Sequence, residues 1–280
     1  MSKTIVTHLS VDLDAITSSW LIKRYLPSWK DAEMKFVPAG TTLENKDPDS
    51  DPNIAHVDTG LGKFDHHQIR SDKLSATKRV FDHLCRENHI PEKQLTAVTR
   101  IVEFVTAIDN FGEVFFDEPT ADIYDFSLHQ LIEGLKSTAK NDRGVCELMF
   151  QMLDATLELF KKKIHAEGEV KKGFVFHTSW GKALAMETRN EEALKYALKC
   201  GYKIVVRRDP EKRFIRIKAR PEKNIDLTSV YEKVAELDPK ATWFFHISKH
   251  MLLNGSSKNP NAVASSLSLK KVVEIIQEIK

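Results

Sequence analysis

Two short segments of β-branched and apolar residues near the start of the chain each run directly into a charged side chain. Residues 4–7 (TIVT) are followed by His8, and residues 54–57 (IAHV) are followed by Asp58. Between them, residues 14–26 carry apolar side chains at the three-to-four-residue spacing of a helix. Strands that alternate with helices in this way predict a parallel sheet. Both charged positions then fall at the carboxyl ends of strands, where open α/β sheets form ligand crevices.

The rest of the first half continues this alternation. The apolar spacing predicts a strand at 34–37 and helices at 75–84 and 92–108, whereas 112–125 breaks the pattern. A long amphipathic helix is predicted at 145–165, and it becomes strongly charged towards its end. We interpret this last helix as the bridge between two domains.

The second half has a different pattern, with more strands and shorter helices. The predicted elements are strands at 174–180 and 181–188, a helix at 191–199, a hairpin at 202–220, a strand at 242–247, a glycine-containing loop at 250–262 and a terminal helix at 267–279. The hairpin turn contains Asp209-Pro210, and proline favours the second position of such a turn. This part of the chain therefore predicts a smaller α/β module.

These patterns predict an α/β fold class with two domains. The first domain, at 1–144, has a mainly parallel β-sheet flanked by helices. A linker helix at 145–170 leads to a smaller C-terminal α/β domain at 171–280. A chain of 280 residues exceeds the usual size of a single domain, which favours this division.

The composition indicates a cellular compartment but does not indicate a ligand. With 42 Lys and Arg against 40 Asp and Glu, the formal charge is only +2, so composition indicates neither a nucleic acid nor a membrane partner. Cys85, Cys146 and Cys200 form no CxxC pair, which argues against a disulfide framework and fits a reducing compartment. The N-terminal segment has neither a signal-peptide nor an anchor pattern, and no apolar stretch reaches membrane-spanning length. We therefore expect a soluble cytoplasmic protein.

Four short polar segments in the first domain carry aspartate and histidine, each set against apolar residues. They are HLSVDLDA, HVDTG, FDHHQ and TAIDNFG. Apart from His56, for which packing or solvent contact is the favoured role, they supply five carboxylates and three imidazoles, which is more than one divalent cation needs. The sequence therefore predicts a site for two metal ions, formed by His8, Asp12, Asp14, Asp58, Asp65, His66, His67 and Asp109.

The kinds of side chain indicate which metals fit. Hard divalent cations such as Mn²⁺ and Mg²⁺ prefer carboxylate oxygen, and Mn²⁺ tolerates imidazole better. A set of Asp and His without thiolate therefore favours Mn²⁺, with Mg²⁺ as the alternative, over zinc. Such a pair of ions would activate water and neutralise the oxygens of a phosphoryl group.

Each polar segment also has an ordinary structural explanation. Asp12 and Asp14 are residues that cap helices well, and His66 and His67 taken alone would be ordinary surface histidines. The combination favours a site, because all four segments fall where an α/β sheet places its crevice.

Two features of the second half suggest contacts with phosphate. On the second strand of the hairpin, alternation places Phe214, Arg216, Lys218 and Arg220 on one face, which would suit a nucleotide backbone and a stacked base. The alternative is a solvated charged face. A loop of Gly255, Ser256, Ser257 and Lys258 could approach a phosphate closely through its backbone. The candidate substrate-binding residues are thus Arg216, Lys218, Arg220, Gly255, Ser256 and Lys258.

The Asp-His-His triplet at 65–67, with the first motif at His8, Asp12 and Asp14, resembles the DHH phosphoesterase superfamily, which is named for that triplet. The resemblance implies that residues 1–144 form a DHH-type metal-binding catalytic domain and 171–280 a substrate-binding domain. It implies two manganese ions bridged by Asp58, with the ligands His8, Asp12, Asp14, Asp58, His66 and Asp109.

The same resemblance implies roles for the other two members of the triplet. His67 would face the substrate phosphate as a catalytic residue, and Asp65 would orient a histidine. The later part of the chain is similar to the melanocyte-proliferating-gene branch of metal-dependent hydrolases and exonucleases. That similarity rests on TAIDNFG, on residues 181–221 and on residues 244–259.

The function expected from these features is hydrolysis of a phosphodiester or phosphomonoester by water activated between two metal ions. The expected partner is a nucleotide or a short single-stranded oligonucleotide, attacked as by an exonuclease and held over the metals by the second domain. A small-nucleotide phosphatase or pyrophosphatase is one alternative, and a non-catalytic nucleic-acid-binding module is another. No membrane partner is expected, and a homodimer is possible.

Overall fold

The computed structural model describes residues 2–255 and 259–279, and these fold into two compact units. The units are Met1–Phe160 and Lys161–Lys280. The division falls inside a helix that runs from Asp142 to Lys172. The sequence predicts a separate linker helix at 145–170 between the two domains, and these bounds stay a prediction.

The first unit is built on a three-stranded parallel sheet, as predicted. Its strands are β1 (Thr4–His8), β2 (Glu33–Val37) and β3 (Ile54–His56), in the order β2-β1-β3. Thr4 is in register with both Glu33 and Ile54, so all three strands point the same way. The central strand is buried along almost its whole length, which explains its continuous β-branched sequence.

Five helices accompany this sheet, four of them within the first unit. They are α1 (Leu13–Tyr25), α2 (Ala76–Arg86), α3 (Glu92–Asp109), α4 (Leu128–Thr138) and the long α5 (Asp142–Lys172). Helix α1 is buried on almost all sides, with Leu21 and Ile22 fully enclosed. The predicted helices at 75–84 and 92–108 are confirmed within two residues, whereas α4 was not predicted. It buries only His129 and Ile132, so its apolar stripe is short.

The second unit contains a six-stranded mixed sheet. Its strands are β4 (Phe174–Thr178), β5 (Gly181–Glu187), β6 (Ile204–Arg208), β7 (Ile215–Ala219), β8 (Trp243–Phe245) and β9 (Met251–Asn254), and they lie in the order β4-β5-β6-β7-β9-β8. Within the described part of the chain, β5 and β6 are the one parallel pair of this sheet. The predicted α/β class is confirmed for both units.

Helices cover this sheet on both faces. One face packs against α7 (Thr228–Leu237) and α8 (Leu269–Glu278), and the other packs against α6 (Glu191–Lys199) and the end of α5. The predicted helix at 191–199 agrees with α6. On β7, Ile215, Ile217 and Ala219 are buried in the first core while the residues between them are partly exposed, so the predicted alternation is confirmed.

The predicted loop at 250–262 was wrong at its start. Met251–Asn254 is strand β9, which lies between β7 and β8. A tight turn between His246 and Met251 returns the chain, and Leu252 is fully buried. The run MLLN is only four residues long, too short for its periodicity to separate a strand from a loop.

Among the described residues, no helix combines the length and apolarity needed to cross a membrane.

Candidate metal centre

The predicted site residues meet at the carboxyl edge of the parallel sheet. His8 is the last residue of β1, and Asp58 follows β3 by two residues. Asp58 has a left-handed backbone (φ 54°), and its N–H donates to the carbonyl of Phe64 at 3.1 Å. This turn buries its side chain, which is 2% exposed, and brings Oδ2 to 3.2 Å from His8 Nε2.

Asp12 and Asp14 both cap helices, because each carboxylate accepts backbone hydrogen bonds at the start of a helix. Asp12 Oδ1 accepts from the N–H of Ala15 at 2.9 Å in α1. Asp14 accepts from the N–H groups of Ala76 at 2.6 Å and Thr77 at 2.8 Å in the first turn of α2. A carboxylate oxygen has more than one lone pair, so capping leaves both side chains able to bind a cation.

Asp65 positions His67. The Asp65 side chain is buried, and its Oδ2 accepts from the N–H of Leu61 at 2.7 Å. Its Oδ1 accepts from the His67 N–H at 3.1 Å and lies 2.7 Å from His67 Nδ1. The His67 ring is thereby held while its side chain remains 59% exposed.

His66 lies among three carboxylates. Its Nε2 is 3.4 Å from Asp109 Oδ2, 3.5 Å from Asp58 Oδ1 and 3.8 Å from Asp14 Oδ2. Asp109 is the last residue of α3, so that helix delivers the carboxylate to the sheet edge, as the sequence predicted.

Among the described residues the ligand atoms fall into three groups, and two of these include Asp58. In each group the atoms lie within 4.8 Å of one another, and the groups are His8, Asp12 and Asp58, then Asp14, His66 and Asp109, and thirdly Asp58, His66 and His67. Asp58 directs Oδ2 to His8 and Oδ1 to His66. The structure thus brings together all six predicted metal-binding residues, with Asp58 between the two sides.

Three buried polar atoms in this centre have no hydrogen-bond partner among the described residues. They are Asp58 Oδ1, His66 Nε2 and Asp109 Oδ2. Burying such atoms unsatisfied is costly, and all three point into the same cluster. Their oxygen and nitrogen donors, with no thiolate among them, are those that hard divalent cations use. The residues therefore fit metal ions of this class.

His8 and His66 hold their protons tightly in the metal-free centre. Burial lowers the pKa of His8, but its hydrogen bond with Asp58 and the charge of Asp12 outweigh this and raise the pKa to about 9. The adjacent Asp58 carboxylate and the charge of Asp109 outweigh burial at His66 and likewise raise its pKa to about 9. Both rings are consequently charged at neutral pH.

The carboxylates differ in how readily they ionise. Burial opposes ionisation of Asp58, but the neighbouring His66 and His8 outweigh it and lower the Asp58 pKa to about 2. Burial raises the pKa of Asp109 to about 6, and it raises that of Asp14 well above its ordinary value. Asp58 is therefore the carboxylate best prepared to bind a cation, whereas charge on Asp109 costs free energy until a cation arrives.

Metal binding is expected to release protons, because a metal ion binds neutral imidazole. Loading at pH 7.5 should release about two protons, from His8 and His66, and affinity should rise by up to about tenfold per pH unit for each proton. Titration calorimetry with Mn²⁺ in PIPES and in Tris measures this release. Equal heats in the two buffers, after correction for metal binding by the buffer, would contradict it.

The same pKa values fix how stability depends on pH in the metal-free protein. A histidine whose pKa is raised in the folded state contributes stability that is fully present below its ordinary value of about 6.5. For His8 and His66 this contribution is lost as the pH rises through about 9. The metal-free unfolding temperature should therefore fall between pH 7 and pH 9.5, and a rise over that range would contradict the assignment.

The centre opens into a cavity of about 450 Å³. The lining includes Asp12, Asp58, Asp65 and Asp109, and no Lys or Arg is among the described residues that line it. Like charges at these distances repel strongly in a partly buried site. An anionic phosphoester would be repelled from this cavity unless cations were bound.

One residue that holds the centre was not predicted. Asp142, the first residue of α5, accepts the N–H groups of Ser10 at 3.0 Å and Val11 at 3.2 Å through its two carboxylate oxygens. It thus fixes the loop between His8 and Asp12. Its only local signal was that of a helix start, and nothing in the sequence linked it to a loop 131 residues away.

The candidate substrate-binding residues all belong to the second unit. Arg216 forms an ion pair with Glu191, since its Nη1 lies 2.6 Å from Glu191 Oε2. Gly255 follows β9 with φ 81°, and a Cβ there would lie 2.3 Å from the Phe214 ring, so packing alone requires this glycine. Lys218 and Arg220 line a cavity. Ser256 and Lys258 lie outside the described residues, and the substrate role of the whole set stays a prediction.

The first unit matches a family of known proteins. The family model described as ChrB, C-terminal domain matches residues 5–160, which include the eight predicted Asp and His residues of the centre. A comparison with curated proteins finds no match. The melanocyte-proliferating-gene branch is not among these findings and stays a prediction.

Several solved structures match this chain at low identity, and three of them do so over nearly its whole length. A DHH domain described as a member of the s1p family of ribosomal proteins has 12% identity and a TM-score of 0.31, over 98% of this chain and 85% of that chain. An uncharacterized protein from Helicobacter pylori has 12% identity and a TM-score of 0.27, over 99% and 98%. RecJ in complex with Mg²⁺ from Thermus thermophilus has 10% identity and a TM-score of 0.35, over 99% and 49%. TM-scores this low establish neither a shared fold nor a shared activity.

Proposed function

This chain belongs to the family of the ChrB C-terminal domain, and we propose that its first unit is a metal-dependent phosphoesterase of the DHH type that works with two hard divalent cations. The observation that carries the proposal is the position of Asp58. Its two carboxylate oxygens face two separate groups of ligand atoms, and Oδ1 is buried without a hydrogen-bond partner.

Two sets of side chains would hold the cations. One cation would be held by His8, Asp12 and Asp58, and the other by Asp14, Asp58, His66 and Asp109. Manganese suits these mixed oxygen and imidazole donors best, with magnesium as the alternative. When bound, such a pair supplies Lewis acidity to a phosphoryl oxygen and lowers the pKa of water.

The protein's own residues prepare the site for this chemistry. Asp142 and the caps made by Asp12 and Asp14 fix the positions of the ligands before substrate arrives. Asp65 holds the partly exposed ring of His67, which would contact a non-bridging phosphate oxygen of the substrate. No serine or cysteine nucleophile is required, because water is the attacking group.

The substrate proposed is a nucleotide or the end of a short single-stranded oligonucleotide, cleaved in the manner of an exonuclease. The acidic cavity supports a phosphoester substrate only with cations bound. A panel distinguishes the possible substrates: a 5′-labelled oligoribonucleotide, the matching DNA, adenosine bisphosphate and pyrophosphate, each with Mn²⁺. Loss of activity in Asp12→Ala and His66→Ala proteins is expected.

The panel has a clear outcome for each hypothesis. Shortening of the oligonucleotide supports the exonuclease proposal, and release of phosphate from the small molecules alone would replace it by a nucleotidase or pyrophosphatase. If no substrate is cleaved and oligonucleotide binding persists in EDTA, the proposal of an enzyme is overturned in favour of a binding module.

Asp65 and His67 allow a test that separates substrate contact from metal binding. Because Asp65 acts through His67, Asp65→Asn should lower kcat by about 10- to 100-fold, and His67→Gln should lower kcat/KM at least as much. Both proteins should still bind two Mn²⁺ per chain. Metal analysis after gel filtration checks this, and loss of bound manganese in His67→Gln would show that His67 is a metal ligand instead.

A further inference from the structure

A second cavity lies entirely within the second unit, beside the C-terminal end of strand β7. Its volume is about 670 Å³, which falls in the range of small-molecule sites. Four cationic side chains line it, and no Asp or Glu is among the described residues of the lining. The cations are Lys195 and Lys199 of α6 with Lys218 and Arg220 of β7 and its end.

Much of this positive charge is not neutralised. Lys195 and Arg220 lie beside carboxylates, each at 2.9 Å. Within the described residues, Lys199 and Lys218 make no ion pair. Two free ammonium groups in one concave site attract anions, and the field is strongest inside such a concavity.

The rest of the lining is partly apolar. Leu198, Pro221 and Met251 contribute carbon surface to the same cavity. His246 and His250 add two rings, of which His250 Nε2 lies 3.1 Å from a backbone carbonyl. Clustered cations suit any polyanion, and the apolar wall can in addition contact the ring of an anion that carries one.

This cavity is separate from the loop after β9. In the antiparallel pairing of β7 with β9, Lys218 lies opposite Met251 and Arg216 lies opposite Leu253. Gly255, which follows β9, is therefore at the other end of these strands. The substrate role predicted for Lys218, Arg220 and Gly255 stays a prediction, and the register places Lys218 and Gly255 at opposite ends of these strands.

We propose that this cavity binds a small anion with two or more phosphate groups, such as a nucleoside diphosphate or an inorganic polyphosphate. Lys199 and Lys218 contact the phosphate groups, and Lys195 and Arg220 add charge-assisted hydrogen bonds. The apolar wall holds the ring of a nucleoside where the ligand has one. The site needs no metal ion, so it does not depend on the function proposed for the first unit.

Titration calorimetry on the full chain tests this, with ADP and tripolyphosphate as probes. The buffer contains EDTA, so the result is independent of the metal centre. The double variant Lys199→Gln with Lys218→Gln should bind about tenfold more weakly or worse, because two charged contacts are lost. Lys233→Gln with Lys240→Gln, which removes the same charge from exposed positions outside the cavity, should bind as the wild type does.

The outcomes distinguish a nucleotide ligand from an inorganic polyphosphate, and they show which results would overturn the proposal. Tighter binding of ADP than of tripolyphosphate assigns a role to the apolar wall, and the reverse order assigns recognition to the phosphate groups alone. If neither probe binds the wild type, or if the two double variants behave alike, the proposal is overturned. Lys199→Arg with Lys218→Arg should keep binding, and circular dichroism with thermal melting verifies that each variant is folded.

Discussion

Asp58→Asn is expected to abolish phosphoester hydrolysis. The substitution keeps the size of the side chain but removes the charge that would lie between two cations. Metal ions supply several kcal/mol of charge stabilisation in such reactions, and about 1.4 kcal/mol corresponds to a tenfold rate, so the expected loss is roughly a thousandfold or more. Initial rates with saturating Mn²⁺ measure it.

A matched control is available at the opposite edge of the same sheet. Asp31 is exposed and lies just before β2, whose carboxyl end is at the centre. Asp31→Asn removes the same charge and should retain the wild-type rate. If Asp58→Asn keeps more than a tenth of the activity while Asp31→Asn is fully active, Asp58 does not have the role assigned to it.

Asp109→Asn is expected to raise the unfolding temperature of the metal-free protein and to lower that of the manganese-bound protein relative to the wild type. In the metal-free protein the raised pKa of Asp109, about 6, means that its charge is unfavourable at pH 7.5. Asp109→Asn removes that charge, so it should raise the metal-free unfolding temperature by about 2–4 °C per kcal/mol gained. The pKa of Asp58 is lowered to about 2, so its charge is favourable and Asp58→Asn should lower the metal-free unfolding temperature.

Adding manganese should make the wild type more stable than either variant. A ligand at a hundred times its dissociation constant stabilises the folded state by about 2.7 kcal/mol, which the wild type should show as a higher melting temperature. Asp109→Asn and Asp58→Asn should both lose most of this gain, whereas Asp31→Asn should keep it. An undiminished gain in Asp109→Asn would mean that this carboxylate is not a ligand.

The predictable parts of the fold were those set by local periodicity. The buried β-branched run before His8 specified a parallel strand, and helix α6 was predicted with its bounds because its apolar positions recur regularly. Helix α4 and strand β9 were missed, since the first has a narrow apolar stripe and the second has only four residues. Their conformations depend on tertiary packing, which overrides weak local preference.

The same division applies to the centre. The convergence of His8, Asp58 and Asp109 followed from topology, because strand ends and a helix end share one edge of the sheet. That Asp14 caps α2, while Asp12 caps α1, could not be inferred from spacing. The role of Asp142 depends on a contact across more than a hundred residues, which a single sequence does not reveal.

The second unit shows the limit of reasoning from one strand face. Alternation on β7 correctly separated buried from exposed residues, yet it grouped Arg216 with Lys218 as equivalent. In the structure Arg216 pairs with Glu191, whereas Lys218 lines an open cavity. Partners supplied by other elements decide which charges remain available to a ligand.

The most direct test of the account follows hydrolysis as a function of manganese bound per chain. Metal-free protein is loaded with increasing Mn²⁺, bound metal is determined by equilibrium dialysis, and the rate on the best substrate of the panel is measured at each loading. If two ions are needed, activity follows the species with two ions per chain and Asp58→Asn stays inactive throughout. Full activity with one bound ion, or activity that persists in EDTA, would contradict it.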